Sequence, residues 1–477
     1  MPDAATEVSS MPVFQSAIDM IGRTPMLEAR NLDTGPCRLF LKLELCNPAG
    51  SIKDRIGLSM IEAAEREGKI NPSASPTPTL VEGTAGNTGI ALALVAGQRG
   101  YNLIVVVPDK MAKGKIQHLR AMGAKVVLTR SDVQKGHPDY YQDVAERIAK
   151  ETPNSLYVNQ FGNEHNPEAH YDHTAPEIWE QITRATGEAP DAFICGVGSG
   201  GTLSGAAKFM REQKPDIDII LADPAGSILA PLVNENRHVK AGSWLVEGMG
   251  EDFVPPICHL DLVTRAIAVS DKDAFLASRL LLAKEGLLAG SSTGCLIHAA
   301  LEYCRAQTEP KTVVTFVCDH GAKYLDKVFS DEWMTDAGFL DRPKFGDIRD
   351  LIVRRHLERE SYALKPDEPL QQAIKTMKLH DISQLPVCDP DNPDRVVGII
   401  DESDILLAVV HDNSAFSKPV RDFMTSKLET IRPTASVNDL TPIFRADRVA
   451  IVVDEAGAFH GLITRIDLIN HLRRQLL

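Results

Sequence analysis

The run Asn47-Pro48-Ala49-Gly50-Ser51-Ile52-Lys53-Asp54-Arg55 governs how the rest of the chain is read. Pro48-Ala49-Gly50 predicts a turn, and residues 54–64 predict the helix that opens out of it. A lysine at that junction has its amine beside the positive pole of the helix, with Ile52 and Ile56 as apolar flanks. Both influences disfavour an ammonium and leave the amine the better nucleophile. A Schiff base to an aldehyde cofactor needs an amine of that kind. Taken alone, Lys53 reads more readily as a solvated side chain at a helix start, and only the segments downstream reverse that reading.

Outward from this run, short apolar segments alternate with helical patterns from about residue 18 to residue 340. Strands are predicted at 39–43, 79–81, 103–107, 125–128, 192–195, 218–222 and 312–318. Helices are predicted at 87–99, 113–122, 176–184, 201–211, 272–285 and 293–304. Apolar strands each followed by a helix imply an α/β body with parallel sheets covered on both faces. The span is too long for one small sheet, so two lobes with a cleft between them are expected.

Three loops in this body suit anions or a ring nitrogen. Glu82-Gly83-Thr84-Ala85-Gly86-Asn87-Thr88-Gly89 joins a strand to a helix. Its glycines free backbone amides at the helix start, and with Thr84, Asn87 and Thr88 it suits a carboxylate. Gly196-Val197-Gly198-Ser199-Gly200-Gly201-Thr202 repeats the arrangement and has the parts of a phosphate cup. Gly196, Gly198 and Gly201 also satisfy G-x-G-x-x-G, and Asp223 lies where a ribose-binding acid would sit. From that segment alone a dinucleotide-dependent oxidoreductase is a fair reading. A dinucleotide site, however, needs neither a helix-start lysine nor a second anion loop. In Leu288-Ala289-Gly290-Ser291-Ser292-Thr293-Gly294 a serine either caps the next helix or bonds a pyridine nitrogen without forcing its protonation.

Together these segments resemble the β-replacing, fold type II family of pyridoxal-phosphate enzymes, most closely its cystathionine β-synthases. The resemblance covers nearly the whole chain. It rests on Gly50-Ser51-Ile52-Lys53-Asp54-Arg55, Gly86-Asn87-Thr88-Gly89, Gly198-Ser199-Gly200-Gly201-Thr202, Val246-Glu247-Gly248-Met249-Gly250 and Gly290-Ser291-Ser292. It implies that Lys53 binds pyridoxal 5′-phosphate covalently and that Asn87 meets the cofactor's phenolic oxygen. Gly198, Ser199, Gly200, Gly201 and Thr202 would hold its phosphate, and Ser292 would meet the pyridine nitrogen. Thr84, Ala85, Gly86 and Thr88, with Gln160, would hold the amino-acid carboxylate. Glu247 and Gly248 would face the second substrate. The implied reaction condenses L-serine with L-homocysteine to L-cystathionine and water, with hydrogen sulfide from cysteine as a further outcome. O-acetylserine sulfhydrylase (cysteine synthase) is the alternative. Glu247, where sulfhydrylases usually carry glutamine, and the C-terminal repeats favour the synthase. Ala85, Phe161 and Glu251 depart from residues common in the family. The short stretch 1–17 has no cysteine or histidine and lacks the haem-binding extension of animal homologues, so no haem is expected.

Residues 341–350 mix Asp, Gly and Pro without periodicity and read as a linker between a catalytic domain at 18–340 and an internal repeat. Pro366-Asp367-Glu368-Pro369-Leu370 matches Pro433-Thr434-Ala435-Ser436-Val437. Val397-Gly398-Ile399-Ile400-Asp401-Glu402-Ser403-Asp404 matches His460-Gly461-Leu462-Ile463-Thr464-Arg465-Ile466-Asp467. The copies span 351–415 and 416–477, and the first carries extra residues in the loop 389–394. Each is small for a stable core, so the two are expected to pack as one α+β module. They resemble a Bateman pair (tandem CBS domains), whose clefts bind adenosyl compounds. Thr464 and Asp467 match the family's hydroxyl–x–x–Asp element and form the candidate site for S-adenosylmethionine or an adenine nucleotide. Copy one has Asp401 and Asp404 there, two carboxylates that repel a phosphate. Assembly is the other reading of the pair.

Composition narrows the remaining classes. The chain has 477 residues, 51 basic and 65 acidic, for a formal charge of −14. That disfavours nucleic acid or an anionic membrane as the main partner. There is no signal-peptide pattern and no apolar run of spanning length, so a cytoplasmic protein is expected, and the family resemblance implies a homodimer or larger homo-oligomer. The eight cysteines form no C-x-x-C pair and no zinc spacing, and no metal site is expected.

Overall fold

The computed structural model describes residues 13–84, 86–109, 111, 113–133 and 136–474. Two compact units divide the chain between Phe329 and Ser330. The first carries strands β1 (Met26–Ala29), β2 (Arg38–Leu43), β3 (Thr79–Gly83), β4 (Asn102–Pro108) and β5 (Lys125–Thr129). It continues with β6 (Ser155–Tyr157), β7 (Ala192–Gly196), β8 (Asp218–Pro224), β9 (Arg265–Val269) and β10 (Thr312–Val317). Four strands pair in the order β5-β4-β3-β6, all parallel. Six pair in the order β1-β2-β10-β7-β8-β9, and only the edge pair β1–β2 is antiparallel. Parallel sheets of this kind are expected from the apolar runs: β10 is buried along its whole length, as are Leu39, Phe40 and Leu41 of β2. The strands β1, β6 and β9 were not expected from sequence; β1 and β6 are only four and three residues long, too short for periodicity to show.

The helix Lys53–Arg66 packs against the helix Asn87–Arg99 at a close crossing. A Cβ on Gly57 would lie 2.9 Å from Ala91 Cβ, so glycine sets that approach. Ile56, Met60, Ile61, Ile90, Leu92 and Val95 are buried in the core shared by these helices and β3 and β4. Both helices consequently begin at the carboxyl ends of parallel strands, the edge where α/β sites form.

The second unit shows the internal repeat as structure. In copy one β11 (Gln384–Cys388) pairs antiparallel with β12 (Val396–Asp401). A short strand β13 (Thr430–Ile431) then pairs parallel with β14 (Ala450–Val453), which pairs antiparallel with β15 (Phe459–Ile463). Each hairpin has a register shift at the same place, Val387/Cys388 and Val452/Val453. Cys388 of copy one packs with Ile451 and Phe459 of copy two, so the copies share a core. Residues 341–350, expected to be a linker, are part of this unit. Ile348, Leu351 and Ile352 are buried with Leu440, Ala450 and Ile463 of copy two. The unit also begins earlier than residue 341, with the Ser330-capped helix Asp331–Asp336, and Arg354 pairs with Glu332 at 2.9 Å. Among the described residues no helix is long and apolar enough to cross a membrane.

Candidate active site

Lys53 is the first residue of its helix. The turn before it is tied to the end of β10: the Ile52 N–H donates to the Cys318 carbonyl at 2.9 Å, and the His320 N–H donates to Gly50 O at 3.2 Å. Asp54 closes the turn from behind, accepting from the Ala49 N–H at 2.6 Å and from Ser51 Oγ at 3.3 Å. Burial pushes its carboxyl up to about 7. The next residue, Arg55, is buried in an ionic cluster. Its Nε donates to Glu44 at 2.7 Å and its guanidinium to Glu177 at 2.7 Å, and Lys42 also reaches Glu177 at 2.9 Å. Burial works against the charge on Glu177, but Arg55 and Lys42 outweigh it and hold its pKa at about 2. These bonds fix the helix that carries Lys53 to the end of β2 and to the helix Ala175–Thr186.

Three helices open toward this lysine, and each begins at a glycine. Gly86 precedes Asn87–Arg99, Gly200 precedes Gly201–Gln213 and Gly290 precedes Ser291–Arg305, none with a side-chain cap. A glycine cannot cap, so the first-turn amides stay available to an external acceptor. Gly200 has φ +90°, and a Cβ there would lie 2.5 Å from Cys258 Cβ. Gly198 lets Gly248 approach: a Cβ would sit 2.7 Å from the Gly248 carbonyl oxygen. The Glu247–Gly248 loop therefore lies on the Gly198–Thr202 loop, anchored by the Gly250 N–H donating to Val197 O at 2.8 Å.

The two anion loops share a bridge that the sequence reading missed. Asn166 is fully buried, and its Nδ2 donates to Gln160 O at 2.7 Å and to Ser199 Oγ at 2.9 Å. Thr88 Oγ1 donates to Gln160 Oε1 at 2.7 Å, and the Gln160 side chain also hydrogen-bonds the Glu82 carboxyl. Below them Glu82 is fully buried, and burial pushes its carboxyl up to about 8. Thr202 Oγ1 meets His170 Nε2 at 3.1 Å, while His170 Nδ1 meets Thr174 Oγ1 at 2.9 Å. Burial, with the charges of Arg55 and Lys53 nearby, holds His170 well below its ordinary pKa. This neutral imidazole sits in a π-helical turn, His170–Thr174.

A second network, also unforeseen, crosses the cleft. Asn87 Nδ2 donates to Asp319 Oδ2 at 2.9 Å, Lys323 donates to Asn87 Oδ1 at 2.8 Å and Tyr324 OH donates to Asp319 Oδ2 at 2.8 Å. Asn87 keeps one amide N–H free for an acceptor in the cleft. Lys115, almost fully buried, donates to Tyr324 OH at 3.1 Å and pairs with Glu247 at 2.6 Å. Lys327 takes the other Glu247 oxygen at 2.9 Å. Burial opposes the Glu247 charge, yet the two lysines outweigh it and hold the carboxyl below its usual range. Ser291 Oγ accepts from the Glu247 N–H at 3.0 Å, and Ser292 is buried beside it. One signal in the sequence pointed here: Asp319, Lys323 and Tyr324 directly follow β10, at the carboxyl edge of a buried parallel strand.

The structure thus gathers Lys53, Thr84, Gly86, Asn87, Thr88, Gln160, Gly198–Thr202, Glu247, Gly248 and Ser292 within one unit; Ala85 lies outside the described residues. Asp223 does not face a ribose. It is fully buried at the end of β8 and accepts from the Ala230 N–H at 2.8 Å in the first turn of the helix Leu229–Glu235. The G-x-G-x-x-G match therefore lacks its acidic partner. Phe161 is buried against Phe253 at 5.7 Å. Thr464 and Asp467 belong to the second unit, where Asp467 accepts from both the N–H and the hydroxyl of Thr464 at 2.6 Å.

Three buried oxygens have no hydrogen-bond partner among the described residues and line this site: Glu82 Oε2, Asn166 Oδ1 and Asp319 Oδ1. Such atoms are costly unless a further polar group completes them. Uncapped helix starts for a phosphate, a half-used amide for a phenolic oxygen and a buried hydroxyl for a ring nitrogen fit pyridoxal phosphate. The family model described as pyridoxal-phosphate dependent enzyme matches residues 18–319, and the CBS domain model matches 348–411 and 420–474. The chain is 32% identical over 472 residues to the cystathionine beta-synthase of Apis mellifera, covering 97% of this chain and 91% of that relative. It is 37% identical over 324 residues to the probable cysteine synthase of Bacillus subtilis, covering 68% of this chain and 99% of that one. The crystal structure of the O-acetylserine dependent cystathionine beta-synthase from Helicobacter pylori superposes with a TM-score of 0.59 at 36% identity, over 66% of this chain and 99% of that chain. The chain belongs to the pyridoxal-phosphate dependent enzymes, in their cystathionine β-synthase branch, and carries a pair of CBS domains.

Proposed function

We propose that the first unit condenses L-serine with L-homocysteine to L-cystathionine and water. The observation that carries this reading is Glu247, held at the cleft between Lys115 and Lys327. A carboxylate fixed by two cations suits an amino-acid second substrate better than it suits sulfide, which needs no such recognition. The near full-length likeness to the Apis mellifera protein supports the same choice.

Bound in the cleft, pyridoxal phosphate supplies an electron sink for charge developing at the substrate Cα. Lys53 Nζ would hold the cofactor and, as a free amine, would take the proton from the substrate Cα. The amides at Gly201 and Thr202, with the Ser199 and Thr202 hydroxyls, hold the phosphate. Asn87 donates to the phenolic oxygen, and Ser292 meets the ring nitrogen without charging it. Thr84, Gly86, Thr88 and Gln160 hold the substrate carboxylate. Glu247 and Gly248 orient the incoming thiol substrate. In the second unit Thr464 and Asp467 form the better adenosyl cleft, because Asp401 and Asp404 place two carboxylates in the matching position of copy one.

Parallel assays of serine plus homocysteine and of O-acetylserine plus sulfide test the substrate choice. Cystathionine formed from serine is the expected product. Rapid cysteine formation from O-acetylserine with no cystathionine from serine would overturn it in favour of the sulfhydrylase reading, which the Bacillus subtilis likeness supports. Sulfide released from cysteine plus homocysteine would extend the proposal to hydrogen sulfide.

A further inference from the structure

Lys323 and Asp319, both from the segment after β10, hold Asn87 by opposite ends of its side chain. Lys323 Nζ donates to Asn87 Oδ1 at 2.8 Å, and Asn87 Nδ2 donates to Asp319 Oδ2 at 2.9 Å. An ammonium only donates and a carboxylate only accepts, so a flipped amide would be wrong at both ends. Asp319 is itself held in place. Tyr324 OH donates to its Oδ2 at 2.8 Å, the Gly290 N–H donates to its backbone oxygen at 3.2 Å, and its Oδ1 leaves no room for a Cβ on Gly290. Lys323 Nζ lies 4.0 Å from where a Cβ would stand on Gly50, in the turn before Lys53. The ammonium is thus set between the turn that carries Lys53 and the helix start that carries Asn87.

We propose that Lys323 is a positioning residue: through Asn87 it directs and strengthens the remaining amide N–H as a donor to the cofactor's phenolic oxygen. This rests on the role of Asn87 proposed above. Bonded groups polarise one another, so an anion on one N–H of an amide weakens the other as a donor, and a cation on the amide oxygen strengthens it. Lys323 therefore offsets at Asn87 what Asp319 alone would take away. The bound cofactor shares a proton between its phenolic oxygen and the Lys53 nitrogen, and a strong donor at the oxygen favours the form with that oxygen negative. Lys115 and Lys327 cannot take over, because both are committed to Glu247, at 2.6 and 2.9 Å. Burial draws the Lys323 pKa below the ordinary lysine value of 10.5, and the Asp319 charge opposes that loss.

The test uses the full chain loaded with pyridoxal phosphate. Visible absorption and melting temperature are recorded for wild type, Asn87→Ala, Lys323→Met, Lys323→Arg and the double variant Asn87→Ala with Lys323→Met. The two proton positions absorb at different wavelengths, so the ratio of the two bands reads where the proton lies. Lys323→Met, which keeps the length without a donor, should move the ratio roughly two- to tenfold toward the neutral phenol, about the worth of one hydrogen bond, with little change in melting. Lys323→Arg should return it to the wild-type value. In the Asn87→Ala background Lys323→Met should move it little further, because its effect passes through Asn87. A wild-type ratio in Lys323→Met alongside a moved one in Asn87→Ala overturns the proposal, and so does failure of the arginine rescue. An undiminished effect of Lys323→Met in the double variant also overturns it, since the charge would then act on the cofactor directly. An unmoved ratio in Asn87→Ala removes the phenolic-oxygen contact itself, a separate failure that takes the proposal with it. If Lys323→Met does not hold the cofactor, Lys323→Leu, also without a donor, is read by the same criteria.

Discussion

The helices facing the cleft and the helices ending the two repeats start in opposite ways. Gly86, Gly200 and Gly290 leave the first-turn amides of their helices without a side-chain acceptor. In the repeats, Asp401 accepts from the Asp404 N–H at 2.9 Å while Asp404 accepts from the Asp401 N–H at 3.1 Å, a closed capping box. Asp467 is likewise turned back onto Thr464. A glycine in place of a side-chain cap costs roughly a few tenths of a kcal/mol, so the first unit forgoes a little stability three times where the second secures it. The three partnerless oxygens of Glu82, Asn166 and Asp319 fall on the same side of this divide. Around the cleft, helix starts and the oxygens of Glu82, Asn166 and Asp319 are left for a ligand to complete, whereas Asp401, Asp404 and Asp467 are bonded to neighbouring groups of the chain itself.

The largest expected effect comes from the group the open helices surround. Lys53→Ala should remove the visible absorption of the bound cofactor and lower turnover by ~10²–10⁴-fold or more, the range for loss of a general base alone. Retained steady-state turnover would break the comparison, because the open helix ends would then serve something other than a lysine-bound cofactor. A smaller effect is expected from closing one of those ends sterically. A Cβ at Gly201 would lie 2.0 Å from Asn166 Oδ1, so Gly201→Ala must displace the residue that joins Gln160 to Ser199. Titration of the apoprotein with pyridoxal phosphate should show affinity weakened by about tenfold or more, ~1.4 kcal/mol. Unchanged affinity would mean that the bridge does not shape the cup.

What the sequence revealed of this site follows from how local each feature is. A lysine after Pro48-Ala49-Gly50, or a glycine before a helical pattern, declares itself within a few residues. The predicted helix 87–99 coincides with Asn87–Arg99 for that reason. Asn166, His170 and Lys115 were invisible because topology alone gathers them, and Asp319 showed only its place after β10, which inserts between β2 and β7 and brings it beside Asn87. Their own surroundings in the chain carry no motif. The start of the second unit was hidden for another reason. Ser330 caps a helix of only six residues, and Trp333 packs on Phe339 at 5.9 Å, a local knot without periodicity.

The repeats offer an intermediate test. Asp404→Ala removes the return bond of one capping box while Asp401 still caps the helix, and should destabilise the second unit by ~0.5–1.5 kcal/mol in chemical denaturation, with turnover unchanged. Asp467→Asn sharpens the contrast between the copies. If Asp467 awaits ribose hydroxyls, calorimetric heat with S-adenosylmethionine should vanish in Asp467→Asn and persist in Asp404→Ala. No heat with any adenosyl ligand in the wild type would leave assembly as the role of the pair.

The smallest effect at acid pH, and the most diagnostic in its slope, concerns Glu82. Its folded pKa of about 8 lies above the ordinary glutamate value of 4.5, because burial disfavours the charged form. The native state therefore binds the proton more tightly than the unfolded chain. That contribution is fully present below about pH 4.5 and is lost as pH rises through about 8. Glu82→Gln keeps the shape of the protonated acid and removes the titration. Variant and wild type should match in denaturant midpoint near pH 4.5, and the variant should become progressively more stable toward pH 8. A parallel dependence in both proteins would show that Glu82 ionises without cost, so the oxygen left partnerless beneath the substrate loop would no longer mark stability given up for the site.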